Sequence, residues 1–208
     1  MCTASAVKKR KALNRRAVTR YHHRMEIVLA SASPRRRMLL QAAGLAVEVR
    51  PQHVDESAST NEPVEARVRR LSRAKAMACR EARLPVIAAD TLVALRGETF
   101  GQPRDAADAA RMIQRLAGHT HQVYTGVCVR RGKELCETAV CTEVTFRSVD
   151  THEIDTYLQH NEVMDKAGAY AIQGGAASFI EAVHGPLDNV IGLPVRHTLA
   201  LLQTLGTA

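Results

Sequence analysis

From Glu26 onward, short apolar runs alternate with longer stretches whose apolar positions recur every three or four residues. Ile27-Val28-Leu29-Ala30 predicts a buried strand. Ser33-Pro34 follows as a capping hydroxyl and a proline for the first helical position, so a helix should run through Met38, Leu39 and Leu40 to Gly44. Residues 47–49 predict a second strand and 51–61 a polar loop. A helix should then begin near Asn61-Glu62-Pro63, with Val64, Val68, Leu71, Ala74, Met77 and Ala78 on one face.

Residues 86–95 predict another strand, ending at Gly97. Residues 105–117 predict a helix with Ala109, Met112, Ile113 and Leu116 inward, closed by Gly118. Two apolar stretches, 123–129 and 135–146, flank Arg131-Gly132-Lys133 as the arms of a hairpin. Thr151-His152-Glu153-Ile154 reads as a helix start whose glutamate falls one residue early for a capping box. Residues 170–172 and 179–183 are strand candidates, and 194–205 a closing helix. The pattern predicts an α/β fold, a mixed sheet with flanking helices, in which the hairpin forms a distinct lobe.

Charge changes the picture at one end only. The net charge is +8, from 29 basic and 21 acidic residues. Residues 1–24 hold Lys8, Lys9, Arg10, Lys11, Arg15, Arg16, Arg20 and Arg24 with no acid, which leaves 21 basic residues against 21 acids beyond them. The expected organisation is therefore a basic, disordered N-terminal extension (1–24) and a single domain (25–208). Met25 also suits an internal start, and a transit peptide or a nucleic-acid-binding arm fits the same composition. A secretory signal does not, because arginines follow Ala12, Leu13 and Asn14 at once. A chain starting at Met25 is expected to keep its thermal midpoint and kinetic constants, as an arm with eight basic residues and no acid has little it can bury. A large drop in the midpoint would show that the arm packs.

No apolar run approaches the roughly 18 residues of a membrane helix. The five cysteines, Cys2, Cys79, Cys128, Cys136 and Cys141, show no CxxC spacing, and an odd count makes no disulfide framework. A reduced, cytoplasmic setting is expected.

Three segments carry candidate chemistry. Ser31-Ala32-Ser33-Pro34-Arg35-Arg36 joins a strand to a helix N-terminus, where hydroxyls, guanidiniums and free N–H groups suit phosphate; an ordinary capped helix reads the same way. Asp90, in Ala88-Ala89-Asp90-Thr91, interrupts an apolar strand and needs a partner, a cleft or a cation. A structural aspartate is the competing reading. Gln173 stands among small residues in 165–175, and its amide can pair with an imide edge; a glycine-rich turn explains it equally well. His119, His121 and His184 have no metal-ligand spacing and read as structural or surface residues.

Together these segments resemble the Maf family of nucleotide pyrophosphatases. The matching stretches are LASASPRR, RLSRAKA, AADTLV, QPRDAADAARMIQRLAGHTHQVYTGV, DKAGAYAIQGGAASFIE and DNVIGLPV, in order along nearly all the chain after the arm. The resemblance implies a fold akin to inosine triphosphate pyrophosphatases, two lobes around a cleft, and divalent-cation-dependent cleavage (Mg2+ or Mn2+ type) between the α and β phosphates of a nucleoside triphosphate. It makes Asp90 the catalytic proton acceptor and associates Arg35, Thr91 and Gln173 with base preference. Ser31, Ser33, Arg36 and Lys75 fall where phosphate-facing residues belong, and Glu56 where a metal or water ligand does.

The Ala-Tyr-Ala-Ile-Gln-Gly wording resembles the branch acting on dTTP and UTP. Gln102 departs from the family, which commonly has Lys there, so either Arg104 compensates or turnover is modest. The alternatives are a 7-methyl-GTP or broad modified-nucleotide pyrophosphatase, and a non-enzymatic regulator of division that binds nucleotide or nucleic acid. Expected partners are a small-molecule nucleotide and no membrane, with nucleic acid only through the arm; a homodimer is compatible with all of this.

Overall fold

The computed structural model describes residues 25–57, 59, 62–80 and 83–206. The basic extension and Cys2 lie outside the described residues.

Among the described residues seven strands form one open sheet. β1 (Glu26–Leu29) lies between β2 (Ala46–Val49) and β3 (Val86–Leu95), parallel to both. Beyond β3 the sheet turns antiparallel, through β5 (Thr120–Arg131), β6 (Glu134–Phe146) and β7 (Ile180–His184), while the short β4 (Glu98–Phe100) pairs with β3. Ile27, Val28 and Leu29 are fully buried, as an apolar run inside a parallel section covered on both faces must be.

The helices are α1 (Pro34–Ala42), α2 (Val64–Ala78), α3 (Ala106–Leu116), α4 (Thr151–His160), the short α5 (Leu187–Ile191) and α6 (Val195–Thr204). Ser33 caps α1 with Pro34 at its first position, and Asp105 caps α3. Among the described residues no helix is long and apolar enough to cross a membrane. Cys79, Cys128, Cys136 and Cys141 are free thiols, and burial pushes the Cys128 thiol up to about 12, which leaves it as inert packing.

Two hydrophobic cores share the long strands. Ile87 and Ala89 of β3 pack with Ile27, Leu40, Val127 and Leu202 in one. Val93 and Leu95 of the same strand pack with Ile113, Phe146, Tyr157 and Phe179 in the other. On the face toward α2 a thin third layer holds Val28, Ala76, Val86, Ala88 and Cys128. Asp90 and Thr91 fall where β3 passes from one core to the next. This is the two-lobed α/β arrangement expected, but the lobes are the two ends of one sheet. The β5–β6 hairpin is not a separate lobe: β5 pairs with β3 over nine residues and forms the middle of the sheet.

Three local expectations are corrected. The inner face of α2 is Val68, Leu71, Ser72 and Ala76, whereas Met77 is 61% exposed. A serine stands in the true stripe, its hydroxyl donating to the Arg69 carbonyl, so counting apolar residues rotates the face. The cap of α4 is Asp150, one residue earlier than Thr151, and the capping box with Glu153 is complete: Asp150 Oδ1 accepts from Glu153 N (2.9 Å) and Glu153 Oε2 from Asp150 N (3.1 Å). Residues 170–172 form no strand. Tyr170 instead plugs the second core, its hydroxyl 2.8 Å from His121 Nε2 and its ring edge-on to Phe146.

Candidate active site

A cavity of about 490 Å³ opens between the two cores. Its walls are the β1–α1 junction, the loop after β2, α2, the middle of β3, and the segments around 101–102, 165–173 and 190–192. The candidate catalytic, specificity, phosphate and metal residues all line it: Ser31, Ser33, Arg35, Arg36, Glu56, Lys75, Asp90, Thr91 and Gln173.

Strand alternation sends Asp90 and Thr91 to opposite faces of β3. Asp90 turns toward α2 and is 6% exposed. Lys75, in the last turn of α2, donates to Asp90 Oδ1 at 2.6 Å and lies 2.7 Å from Glu56 Oε1. Two carboxylates thus converge on one ammonium, one of them buried.

Thr91 faces the other way, opposite Thr125 of β5, their hydroxyls 3.0 Å apart. Arg36 NH2 donates to Thr91 Oγ1 (3.0 Å), its NH1 to Ser31 Oγ (3.1 Å) and the Ala89 carbonyl (2.7 Å), and its Nε to the Gly192 carbonyl (2.9 Å). Four of the five guanidinium N–H groups are therefore committed to protein oxygens. Burial pushes the Arg36 guanidinium down from its ordinary value, and the charge of Asp90 opposes that shift. Arg36 is a clamp joining β1, α1, β3 and the end of α5.

Arg35 reaches across the cavity mouth. Its NH1 donates to Asp165 Oδ2 at 2.8 Å and its NH2 to the Asp165 carbonyl at 3.2 Å. Lys166 pairs with the other oxygen of the same carboxylate. Partial burial pushes the Asp165 carboxyl up, but Lys166 and Arg35 outweigh it and hold the group below its usual range. Asp165 and Lys166 were not singled out in the sequence; their only signal is an acid–base dipeptide at the head of the segment that carries Gln173.

Gln173 projects from a turn anchored on both sides, by Ala171 N donating to Tyr157 Oη (3.2 Å) and Gly175 N to Asn161 Oδ1 (3.3 Å). Its own amide is exposed and has no hydrogen bond among the described residues. Gln102 lines the cavity, but Arg104 is turned onto Asp108 at 3.0 Å on the outside of α3 and does not replace the missing lysine. Lys166 is the further cation lining the cavity. The histidines form no cluster: His119 binds the Ala117 carbonyl, His184 ends β7, and His121 is buried in the second core, where burial pushes it down to about 4. Among the described residues no group of three or more His, Cys, Asp or Glu is placed to hold a metal by itself.

The family model for Maf-like protein matches residues 26–205. The chain belongs to the Maf-like family. It is 50% identical over 188 residues to the dTTP/UTP pyrophosphatase of Anaeromyxobacter dehalogenans (strain 2CP-C), covering 86% of this chain and 94% of that relative. It is 46% identical over 182 residues to the dTTP/UTP pyrophosphatase of Myxococcus xanthus (strain DK1622), covering 86% and 92%. It is 40% identical over 188 residues to the nucleoside triphosphate pyrophosphatase of Haemophilus ducreyi (strain 35000HP / ATCC 700724), covering 87% and 95%. The match to this Maf-like chain spans both cores and every wall of the cavity.

Proposed function

We propose that this chain hydrolyses nucleoside triphosphates, dTTP and UTP foremost, to the monophosphate and pyrophosphate. The observation that carries the reading is the buried Asp90–Lys75 pair, with Glu56, in a cavity between two cores. The activity printed for the relatives supports the same substrate class.

In this reading Asp90 orients the attacking water and accepts its proton. Lys75 leaves its two carboxylates for the phosphates, and Ser31 and Ser33 present hydroxyls beside the N-terminus of α1. Arg36 acts through its charge and by fixing Ser31 and Thr91. The cavity holds four cationic side chains (Arg35, Arg36, Lys75, Lys166) and three carboxylates (Glu56, Asp90, Asp165). A triphosphate brings about four negative charges, so the protein's own groups do not neutralise it. A divalent cation of the Mg2+ or Mn2+ type fits, because Asp90 and Glu56 already converge on one cation and the substrate's phosphates complete an oxygen shell. Held there, it would supply charge neutralisation on the departing pyrophosphate. Residues 25–208 act as one domain in this account, in the cytoplasm.

Base preference falls to Arg35, Thr91 and Gln173. Uracil and thymine present an N3–H donor between two carbonyls, and the Gln173 amide can accept from the first and donate to one of the second. An amide free to turn over can also present the reverse pattern to cytosine, so selection requires the bound nucleotide to order it. Leaving one polar group unpaired costs about 1–3 kcal/mol, which sets the preference for dTTP and UTP over CTP at about tenfold or more. Gln173→Glu is expected to remove that preference, since a carboxylate cannot donate to the carbonyl. Pyrophosphate release from each triphosphate by both proteins is the check. Equal wild-type rates for all bases, or an unchanged profile in Gln173→Glu, would contradict the assignment.

A further inference from the structure

Lys75 and Asp90 come from different elements, α2 and β3, and their contact depends on how closely the helix lies on the sheet. Directly opposite Asp90 in the sheet register is Gly126 of β5. A Cβ on Gly126 would stand 2.2 Å from the Val68 carbonyl oxygen, 2.3 Å from its carbon and 2.8 Å from the Arg69 amide nitrogen. These are backbone atoms of α2, which cannot swing aside as a side chain would. Gly126 is not among the glycines with positive φ, so the missing side chain, and not backbone freedom, is what the structure uses.

A second contact holds the far end of the helix. Four residues along the same face of β5, Arg130 donates from Nε to the Ala76 carbonyl (2.9 Å) and from NH2 to the Cys79 carbonyl (2.6 Å). Both carbonyls lie at the C-terminal end of α2, where helical partners run out. Lys75 falls between the two contacts, two turns beyond Val68 and on the same side of the helix. Beneath it Ser72 and Ala76 are fully buried and small, and Cys128 fills the strand face between Gly126 and Arg130.

We infer that the close seating of α2 on β5, permitted by Gly126 and pinned by Arg130, sets how far Lys75 reaches over Asp90 toward the substrate's phosphates, and makes Gly126 and Arg130 positioning residues for the reaction. The inference rests on the function proposed above for that pair. A methyl group at position 126 forces the helix back by roughly 1 Å before its contacts become tolerable. Lys75 withdraws with it, and a misplacement of that size costs about hundredfold in rate.

The test is pyrophosphate release by Gly126→Ala, Arg130→Gln, Lys75→Arg and Gly126→Ala/Lys75→Arg, each measured per folded molecule below its thermal midpoint. Gly126→Ala should lower kcat/KM by about hundredfold and Arg130→Gln by about tenfold. Lys75→Arg should lower the wild type but raise Gly126→Ala, because the longer side chain spans the added gap; a merely structural role gives losses that multiply. Wild-type kcat/KM in folded Gly126→Ala, or Lys75→Arg harming both backgrounds alike, would overturn the inference. Where Gly126→Ala does not fold, wild-type activity in Arg130→Gln would do so. Asp90→Asn is the control: its retaining activity defeats the reading of the site itself, whereas its loss beside an active Gly126→Ala defeats only this inference.

Discussion

Asp90→Asn is expected to lower pyrophosphate release by about 10²–10⁴-fold while leaving a folded protein, the range typical for loss of a general base. The substitution keeps the size of the side chain and its place between the two cores. An amide still accepts a hydrogen bond from Lys75 through its oxygen, but it cannot take a proton from water. At 6% exposure and held by Lys75, the position should keep its place in the fold when the carboxylate becomes an amide. Comparing kcat and the circular dichroism melt of the two proteins separates loss of chemistry from loss of fold. A folded Asp90→Asn protein with near-normal kcat would remove Asp90 from the mechanism.

Lys75→Ala should have the next largest effect, on two quantities together. Its ammonium lies between Asp90 and Glu56, with side-chain exposures of 12% for Lys75 and 9% for Asp90. Removing it leaves a buried carboxylate without its hydrogen-bonded cation, beside a second carboxylate. Breaking a buried pair in this way costs about 3–5 kcal/mol, and the open cavity mouth favours the lower figure. For a domain of this size the thermal midpoint should drop by roughly 6–12 °C. The kcat/KM should fall by about 10²–10³-fold, as expected for a group that stabilises charge on the leaving pyrophosphate. The double variant Asp90→Asn/Lys75→Ala should regain much of the midpoint, because the stranded charge is gone, and none of the activity. A Lys75→Ala protein with an unchanged midpoint and unchanged kcat/KM would contradict the paired description of the site.

How much of this was legible along the chain depends on the range of each interaction. β1, β3 and α3 announce themselves through local pattern, with an unbroken apolar run, a ten-residue run interrupted at Asp90, and a stripe closed by Gly118. Of the site segments only Asp90 was visible for a similar reason, as a carboxylate where burial would be costly; the others stood out through their resemblance to the family's motifs. What could not be read is what crosses the sheet. Arg35 meets Asp165 across 130 positions, and nothing near either residue reports the pairing. Arg36 looked like a phosphate ligand, yet two of its partners are the carbonyls of Ala89 and Gly192, which no side-chain pattern reveals. The segment Tyr170-Ala171-Ile172 resembled a strand by local pattern, but its tyrosine is drawn into the second core, where the hydroxyl lies 2.8 Å from His121 Nε2. The strands β5 and β6 run further than their apolar stretches, because pairing continues through polar residues such as Thr120 with Thr145.

The central claim is the reaction itself, and the products decide it. Purified protein incubated with dTTP and a divalent cation, followed by phosphorus NMR, should yield dTMP and pyrophosphate in equal amounts, with both products formed at least about hundredfold more slowly by Asp90→Asn. Accumulation of dTDP and orthophosphate, or equal turnover by the wild type and Asp90→Asn, would contradict the account.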